Sequence, residues 1–307
     1  FLFAALNILD PLYEACLERM RFFLEEWGEE GKKNHPNFYK SFTGTLNRVK
    51  EHPNHRYFVL KSIIVNNLYG VDIMEEAVEI CKLRLFLKLV AQIERVEDIE
   101  PLPDIDFNIR AGNTLVGYAN EQEVRNAFEQ EATGVAKETQ GKLLLGEAPE
   151  AYRRFEDKLL VVDALFNQFH RQQTEFGGVI SEQDKENLRL KLKELEDELN
   201  RYLAGEYRVD VKKAVAFENW LTGHKPFHWF VEFYGIMKSG GFDVIIGNPP
   251  YVEYSKVKSE YMVHNYKTVS CGNIYAYAIE RSLTVLKSKG LISLIVPLSP
   301  VSYTHLT

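Results

Sequence analysis

The apolar positions of the first hundred residues follow helical spacing, broken by one short strand. Residues 1–27 carry apolar residues at helical spacing, with an interruption expected at Asp10–Pro11. A strand is predicted over residues 68–71, ending in Asp72, and a helix with one apolar face is predicted over residues 75–90. Strand, acidic residue and helix in this order indicate an α/β fold.

The middle of the chain changes from mixed to helical patterning. The next strand, the third if one precedes Phe1, is predicted around Phe107 and Ile109. A loop is predicted after it, at Gly112–Leu115. From Tyr118 to about Ser239 the sequence is charged and helical, which predicts an insertion between the third and fourth strands. A three-four repeat within it is typical of one strand of a helical hairpin or coiled coil: Leu188, Leu192, Leu195, Leu199 and Tyr202. Its interleaved charges indicate a solvated face.

An aromatic cluster closes the insertion. We interpret it as packing; if the protein acts on nucleic acid, contact with a flipped base is the alternative. Its members are Trp220, Phe227, Trp229, Phe230 and Phe233.

The decapeptide FDVIIGNPPY, Phe242–Tyr251, predicts a buried strand that Gly247 ends. Two consecutive prolines then fix the backbone and remove two N–H donors, so the Asn248 side chain and the prolyl carbonyls form a cluster of acceptors at a strand end. Such acceptors can bind the two hydrogens of a planar NH2 group, while Tyr251 stacks on the ring that carries it. Beyond it, an amphipathic helix capped by Gly290 is predicted over residues 274–290, followed by a buried strand at 291–298.

Composition limits the class of protein. At 307 residues the chain can form one large α/β domain or two smaller ones. The net charge of −7 argues against a wholly basic nucleic-acid-binding surface, so if the protein acts on DNA, a separate DNA-reading part is expected to supply the positive charge. Three cysteines without a CxxC pair, Cys16, Cys81 and Cys271, indicate a reducing compartment and no structural zinc.

Two histidine pairs have spacings that a metal site could use, His52 with His55 and His224 with His228. Without adjacent cysteines or a carboxylate motif, packing or surface roles are favoured, and no metal is assigned. Because no apolar run is long enough to span a bilayer and no leader is apparent, a cytoplasmic location is expected.

The tetrapeptide Asn248, Pro249, Pro250 and Tyr251 resembles the NPPY signature of amino-methyltransferases, especially the adenine-specific DNA methyltransferases of type IIG restriction-modification and phage-exclusion systems. The resemblance implies a Rossmann-like class I fold with a long helical insertion, S-adenosylmethionine as cofactor and double-stranded DNA as substrate. It also implies methylation of N6 of a flipped-out adenine at these four residues, with no metal required.

The same resemblance implies a set of cofactor-binding residues: Phe1, Asp72, Ile73, Asn113, Thr114 and Leu115. Phe1 matches the end of a glycine-rich loop, and Asp72 is expected to accept from the ribose hydroxyls, with helix capping as the alternative. Where the family often has Gly-Asp-x-Leu, this chain has Gly-Asn-Thr-Leu. Asn113 can still hydrogen-bond the cofactor's adenine, although Gly-Asn is also a common turn.

The domains expected are residues 1–118 and 239–307 of the catalytic part, separated by an insertion at 119–238. The chain is expected to be part of a longer protein, lacking the first strand and glycine loop, with a target-recognition part downstream and any nuclease upstream. The final VSYTHLT, residues 301–307, breaks the pattern and predicts an artificial edge.

Two alternatives remain open. The acceptor could be a protein glutamine or an RNA base, since NPPY suits any planar NH2 group. The chain could instead be a non-catalytic piece whose helical arm binds a partner protein.

Lys256, Lys258 and Lys267 after the motif are candidates for phosphate contacts.

Overall fold

The computed structural model describes residues 1–95, 99–139, 150–174 and 181–297. The helices and strands are α1 (Leu2–Asn34), α2 (Pro36–Glu51), α3 (His55–Asn67), β1 (Gly70–Asp72), α4 (Glu75–Val90), β2 (Ile109–Ala111), α5 (Glu121–Thr139), α6 (Glu150–Thr174), α7 (Glu182–Glu206), α8 (Ala214–His224), α9 (Trp229–Glu232), α10 (Tyr234–Lys238), β3 (Phe242–Gly247), α11 (Tyr254–Val257), α12 (Ile274–Val285) and β4 (Leu286–Leu294). A short 3-10 helix covers Lys267–Cys271. They form two compact units: a first unit within 1–111 and 168–181, and a second within 112–167 and 182–307.

The first unit packs helices around a two-stranded parallel sheet. β1 pairs with β2 in the register Gly70 opposite Ile109 and Asp72 opposite Ala111. Asn54 caps helix α3: its side chain accepts a 2.9 Å hydrogen bond from the Tyr57 N–H and so satisfies a free donor of the first turn. Apolar residues from all four helices and β2 are buried together, among them Leu6, Leu60, Ile63, Leu85, Leu89 and Ile109. Burial of each such side chain stabilises the unit by about 1.5–3 kcal/mol.

Helix α1 differs from its prediction. The expected interruption at Asp10–Pro11 is wrong, because Pro11 lies inside a helix whose backbone departs from helical geometry only at Gly28, with φ 46°. Leu6 and Leu17 on either side of Pro11 are both buried, and Asp10 is buried in an ion pair with Arg56. We infer that this packing outweighs the loss of one helical hydrogen bond at the proline.

The second unit contains a helical layer formed by α5, the first part of α6 and α7. The predicted leucine face of α7 is confirmed: Leu188, Leu192, Leu195 and Leu199 are all buried. Tyr202 is half-buried and packs on Phe128 of α5, with ring centroids 4.2 Å apart. Lys158 of α6 forms a 2.6 Å ion pair with Glu198 on the outer side. On α7, Glu194 is exposed and Lys191, which forms an ion pair with it, is half-exposed, in agreement with the predicted solvated face.

Strands β3 and β4 of the second unit form a separate parallel pair, from Phe242 opposite Leu286 to Gly247 opposite Leu294. The helix predicted over residues 274–290 ends earlier, at Val285, so the prediction of a Gly290 cap is wrong. Gly290 lies inside β4. Pairing with β3 explains the early end, because the chain becomes extended where it begins to bond Phe242.

The prediction that these strands are buried is also wrong. Val244 is 59% exposed, Ile246 38% and Leu291 70%. Among the described residues β3 pairs only with β4, so these side chains project from a two-stranded sheet without a covering layer. Phe242 is packed, with its ring 5.6 Å from that of Phe233.

The α/β class is confirmed, with helices and parallel strands in both units. The described strands form two separate two-stranded sheets, so a single Rossmann-like sheet is not observed. The strand predicted around Phe107 and Ile109 is confirmed only as β2, Ile109–Ala111. The buried Phe107 lies in the turn before it. The predicted domain boundaries at 118 and 239 stay predictions, and the predicted edge at 301–307 lies outside the described residues. No helix in the described part of the chain has the length and apolar character to cross a membrane.

Candidate active site

The NPPY corner lies at the carboxyl end of β3, on the surface. Asn248 is exposed, Pro249 is buried, and Tyr251 is 47% exposed. The Ile295 N–H donates a 3.0 Å hydrogen bond to the Gly247 carbonyl, which joins the end of β3 to the segment after β4. The Asn248 side chain is thus outside the core, as the sequence predicts, and the residue before it is bonded to the segment after β4.

Tyr251 closes the corner through its hydroxyl. The phenolic oxygen lies 2.7 Å from the Asn248 amide, at Oδ1, and 2.8 Å from the Ile295 carbonyl oxygen. Among the described residues none donates a hydrogen bond to the Pro249 carbonyl. The corner therefore offers acceptor groups to an incoming donor, and the half-exposed Tyr251 ring lies beside them.

The loop at residues 113–118 contains three of the predicted cofactor-binding residues, Asn113, Thr114 and Leu115. Asn113 is 3% exposed; its N–H donates to the Lys225 carbonyl at 2.8 Å, and its Oδ1 accepts from the Leu115 N–H at 3.1 Å. The turn alternative is therefore confirmed. The Asn113 Nδ2 is buried and has no hydrogen-bond partner among the described residues. An unpaired buried donor is costly, so this amide suits a ligand acceptor.

The five backbone carbonyls of residues 114–118 each accept a hydrogen bond from a neighbouring part of the second unit. The donors are Trp229 Nε1 to Thr114 (3.1 Å), Tyr266 Oη to Leu115 (2.8 Å), the Phe227 N–H to Val116 (2.7 Å), Arg281 to Gly117 (3.1 Å) and the Phe230 N–H to Tyr118 (3.3 Å). Gly117 has φ 128°, and a Cβ there would overlap the Phe227 carbonyl. The loop can follow this path only with glycine at that position.

Arg281 is a site residue that the sequence interpretation missed. It is buried on α12, and its guanidinium donates to Tyr266 Oη at 2.9 Å and to Glu123 at 3.4 Å as well as to the loop. The pKa of Arg281 is raised: burial lowers it, but Tyr266 and Glu123 more than compensate. A signal was present, because Arg281 stands four residues from the buried Tyr277 and Val285 on an otherwise apolar helix face.

His228 fixes the end of the same loop. Its Nδ1 accepts from the Tyr118 N–H at 3.2 Å, so its Nε2 carries the hydrogen and donates to Asn200 Oδ1 at 3.0 Å. Burial, with a smaller contribution from Arg281, lowers the pKa of His228 to about 3. The imidazole is therefore neutral at physiological pH.

Asp72 and its neighbours lie in the first unit. The Asp72 side chain is exposed and its Oδ1 accepts a 2.9 Å hydrogen bond from the Met74 N–H. The N-cap of α4 is Met74, so the capping alternative for Asp72 is wrong. Its second carboxylate oxygen has no partner that the structure describes. Ile73 and Phe1 are both exposed, and their contact with a cofactor stays a prediction.

The histidines and the aromatic segment have packing roles. His52 is buried against Glu100, with Nε2 2.5 Å from a carboxylate oxygen, whereas His55 pairs with Glu14 at 2.9 Å. His224 donates to the Trp220 carbonyl, and its Nε2 accepts from the Met262 N–H. Within the described ranges no three His, Cys, Asp or Glu side chains come together as metal ligands would. In the aromatic segment Trp220, Phe227, Phe230 and Phe233 are buried, which supports the packing interpretation.

The segment after the corner is held against the second unit. The Val263 N–H donates to Tyr254 Oη at 3.0 Å, and Tyr207 Oη donates to the Met262 carbonyl at 2.9 Å. Glu280 accepts from the backbone of Lys267 at 2.9 Å. Lys256, Lys258 and Lys267 are exposed on this segment, and their contact with phosphate stays a prediction.

Comparison with known proteins assigns this arrangement to a class. The model of the Eco57I restriction-modification methylase family matches residues 66–305, which include β1, the loop at 113–118, the corner and α12. The chain therefore belongs to the Eco57I family of restriction-modification methylases.

A protein of Methanocaldococcus jannaschii, named as a candidate type II restriction enzyme and methyltransferase, is 32% identical over 273 residues. The match covers 77% of this chain and 22% of that relative, so the chain spans about a fifth of the relative's length. No solved structure matches the chain.

Proposed function

We propose that this chain carries the adenine-methylating part of a restriction-modification enzyme, which transfers a methyl group from S-adenosylmethionine to N6 of a flipped-out adenine in double-stranded DNA. One observation carries the proposal: an exposed Asn248 beside a half-exposed Tyr251, on a prolyl corner at a strand end, in a chain of a restriction-modification methylase family.

The chemistry of the amine explains the residues. The lone pair of the adenine amino group is delocalised into the ring, which makes the nitrogen a poor nucleophile. Acceptance of its two hydrogens by the Asn248 oxygen and the Pro249 carbonyl draws the nitrogen toward tetrahedral geometry. These bonds strengthen as positive charge develops on nitrogen, so they stabilise the transition state more than the ground state. Stacking on Tyr251 holds a base that has left the duplex.

The residues present suit the cofactor in two places. The buried Asn113 Nδ2 lacks a partner within the described chain and can donate to a ring nitrogen of adenine, with Thr114 and Leu115 beside it. The exposed Asp72 carboxylate follows a parallel strand, where it can accept from ribose hydroxyls, with Ile73 and Phe1 as further contacts. When S-adenosylmethionine is bound, its positively charged sulfonium group supplies an electrophilic methyl group.

We further propose that the catalytic part has a Rossmann-like class I fold with a long helical insertion, and that the whole protein also contains target-recognition and nuclease parts. The name of the archaeal relative, which combines a restriction enzyme with a methyltransferase, supports the second point. The net charge of −7 agrees with a DNA-reading part elsewhere, to which Lys256, Lys258 and Lys267 add local phosphate contacts.

The test is transfer of a radiolabelled methyl group from S-adenosylmethionine by the whole protein to duplex DNA, followed by nucleoside analysis. We expect N6-methyladenine as the product, and loss of at least about a hundredfold in rate for Asn248→Ala and Tyr251→Ala with unchanged melting temperature. Retained activity in Asn248→Ala would remove the site assignment. Product on glutamine or on RNA, with none on DNA, would support the alternative acceptors, which share the planar NH2 group.

A further inference from the structure

The Tyr251 hydroxyl faces two oxygen atoms with one hydrogen. Its oxygen is 2.7 Å from the Oδ1 position of Asn248 and 2.8 Å from the Ile295 carbonyl oxygen. Both separations are those of full O–H···O hydrogen bonds. A phenol donates once, so with Asn248 Oδ1 in that position one of the two oxygen pairs would face each other with no hydrogen between them.

A half-turn of the Asn248 amide about its Cβ–Cγ bond removes this conflict. The turn exchanges Oδ1 and Nδ2 while the heavy-atom positions stay nearly the same, and only hydrogen-bond partners distinguish the two states. After the turn Asn248 Nδ2 donates to Tyr251 Oη, and Tyr251 donates to the Ile295 carbonyl. Each close contact then contains one hydrogen.

We propose that Tyr251, besides stacking, is a positioning residue: its hydroxyl, fixed by the Ile295 carbonyl, holds the Asn248 amide with Nδ2 inward and Oδ1 facing the substrate. The inference rests on the proposed function, because an outward oxygen accepts from an amino group. An outward NH2 would instead bind a carbonyl. The hydroxyl therefore selects aminated bases over bases that present a carbonyl at the same position.

The anchor for this orientation is the backbone. The Ile295 N–H donates to the Gly247 carbonyl at 3.0 Å, which fixes the position of the Ile295 carbonyl relative to the end of β3. Tyr251 and Asn248 are three residues apart on the turn stiffened by Pro249 and Pro250. A series of hydrogen bonds thus connects the paired strands to the exposed amide. It runs from Gly247 through Ile295 and Tyr251 to Asn248 and fixes the orientation of the Asn248 side chain.

The kinetic test is a double-mutant cycle of single-turnover methylation with Tyr251→Phe, Asn248→Asp and both together. Tyr251→Phe keeps the ring but frees the amide to turn, so we expect about a tenfold slower rate. A carboxylate presents an acceptor in either orientation, so in the Asn248→Asp background Tyr251→Phe should cost less than about twofold. Tyr261→Phe, which removes another phenol hydroxyl from the following segment, is the matched control and should leave the rate unchanged. Equal losses in both backgrounds, or none in Tyr251→Phe, would overturn the inference.

A second readout does not depend on activity. In protein labelled with 15N-asparagine, the Asn248 side-chain NH2 signal is the one absent from Asn248→Asp. We expect Tyr251→Phe to shift this signal and speed its hydrogen exchange at least about tenfold, because one hydrogen loses its acceptor. An unchanged signal would refute the proposed orientation. A changed signal in a protein that methylates no amino group would leave the orientation standing and would refute the proposed function instead.

Discussion

The neutral, buried His228 makes the second unit sensitive to acid. Its Nδ1 accepts from the Tyr118 N–H, and its Nε2–H donates to Asn200. Protonation of Nδ1 would place its new N–H opposite the Tyr118 N–H in a buried site, where neither could accept a hydrogen bond from the other. This agrees with the pKa of His228, which burial lowers to about 3.

The lowered pKa of His228 can be converted into a loss of stability. An unfolded chain has a histidine pKa of about 6.5, so below that pH the unfolded state takes up a proton that the folded state refuses. The contribution of His228 is complete above about pH 6.5 and falls as the pH drops toward the folded value. At about 1.36 kcal/mol per pH unit, the free energy of unfolding should fall by about 2 kcal/mol between pH 7.5 and pH 5 from this residue.

The measurement is urea unfolding of the wild type and His228→Gln at several pH values, followed by tyrosine and tryptophan fluorescence. Glutamine can keep one donor and one acceptor but does not titrate, so the difference in unfolding free energy isolates His228. The pKa values of His170 and His224 are also lowered by burial, and their contributions cancel in this difference. A wild-type-minus-variant difference that stays constant from pH 7.5 to pH 5 would refute the assignment of a neutral, buried imidazole.

Three further predictions concern stability, each measured as a change in the free energy of unfolding. Arg281→Met should cost about 3 kcal/mol, because it removes the hydrogen bonds to Gly117 and Tyr266 in a buried site. The control Arg154→Met, at an exposed position, should change the free energy of unfolding by less than about 0.5 kcal/mol. Equal effects of the two substitutions would contradict the proposed role of Arg281. Gly241→Ala should cost at least about 2 kcal/mol, because φ is 109° and a Cβ would overlap the Val285 carbonyl, while Gly44→Ala in α2, with open space around it, should be neutral or stabilising. Leu199→Ala should cost about 3 kcal/mol and the half-exposed Leu190→Ala little; the reverse order would show that α7 buries its other face.

The sequence predicts those parts of the fold whose cause is local. The leucine repeat of α7 and the strand ending in Asp72 depend on spacing and turn residues, and both are confirmed within a few residues. The exposure of Asn248 follows from the turn chemistry of Gly247 and two prolines, which cannot continue a strand.

The failures have tertiary causes. Pro11 remains inside a helix that buries Leu6 and Leu17, and α12 stops at Val285 because the next residue pairs with β3. The exposure of Val244 depends on how many strands lie beside it, which an apolar run does not reveal. Arg281 and Ile295 join the site through contacts more than forty residues away in sequence, and nothing in the local pattern identifies those partners.

The main-chain bonds around residues 113–118 determine how a ligand would be received there. Donors from three separate segments, residues 227–230, Tyr266 and Arg281, bind its carbonyls, so the loop is preformed and has little conformational freedom left to lose. A molecule that fits it avoids the entropy of ordering the wall, and one that does not fit cannot reshape it. Discrimination between near-identical ligands at this place should therefore come from shape and from the single free amide of Asn113, with little adjustment of the protein on binding.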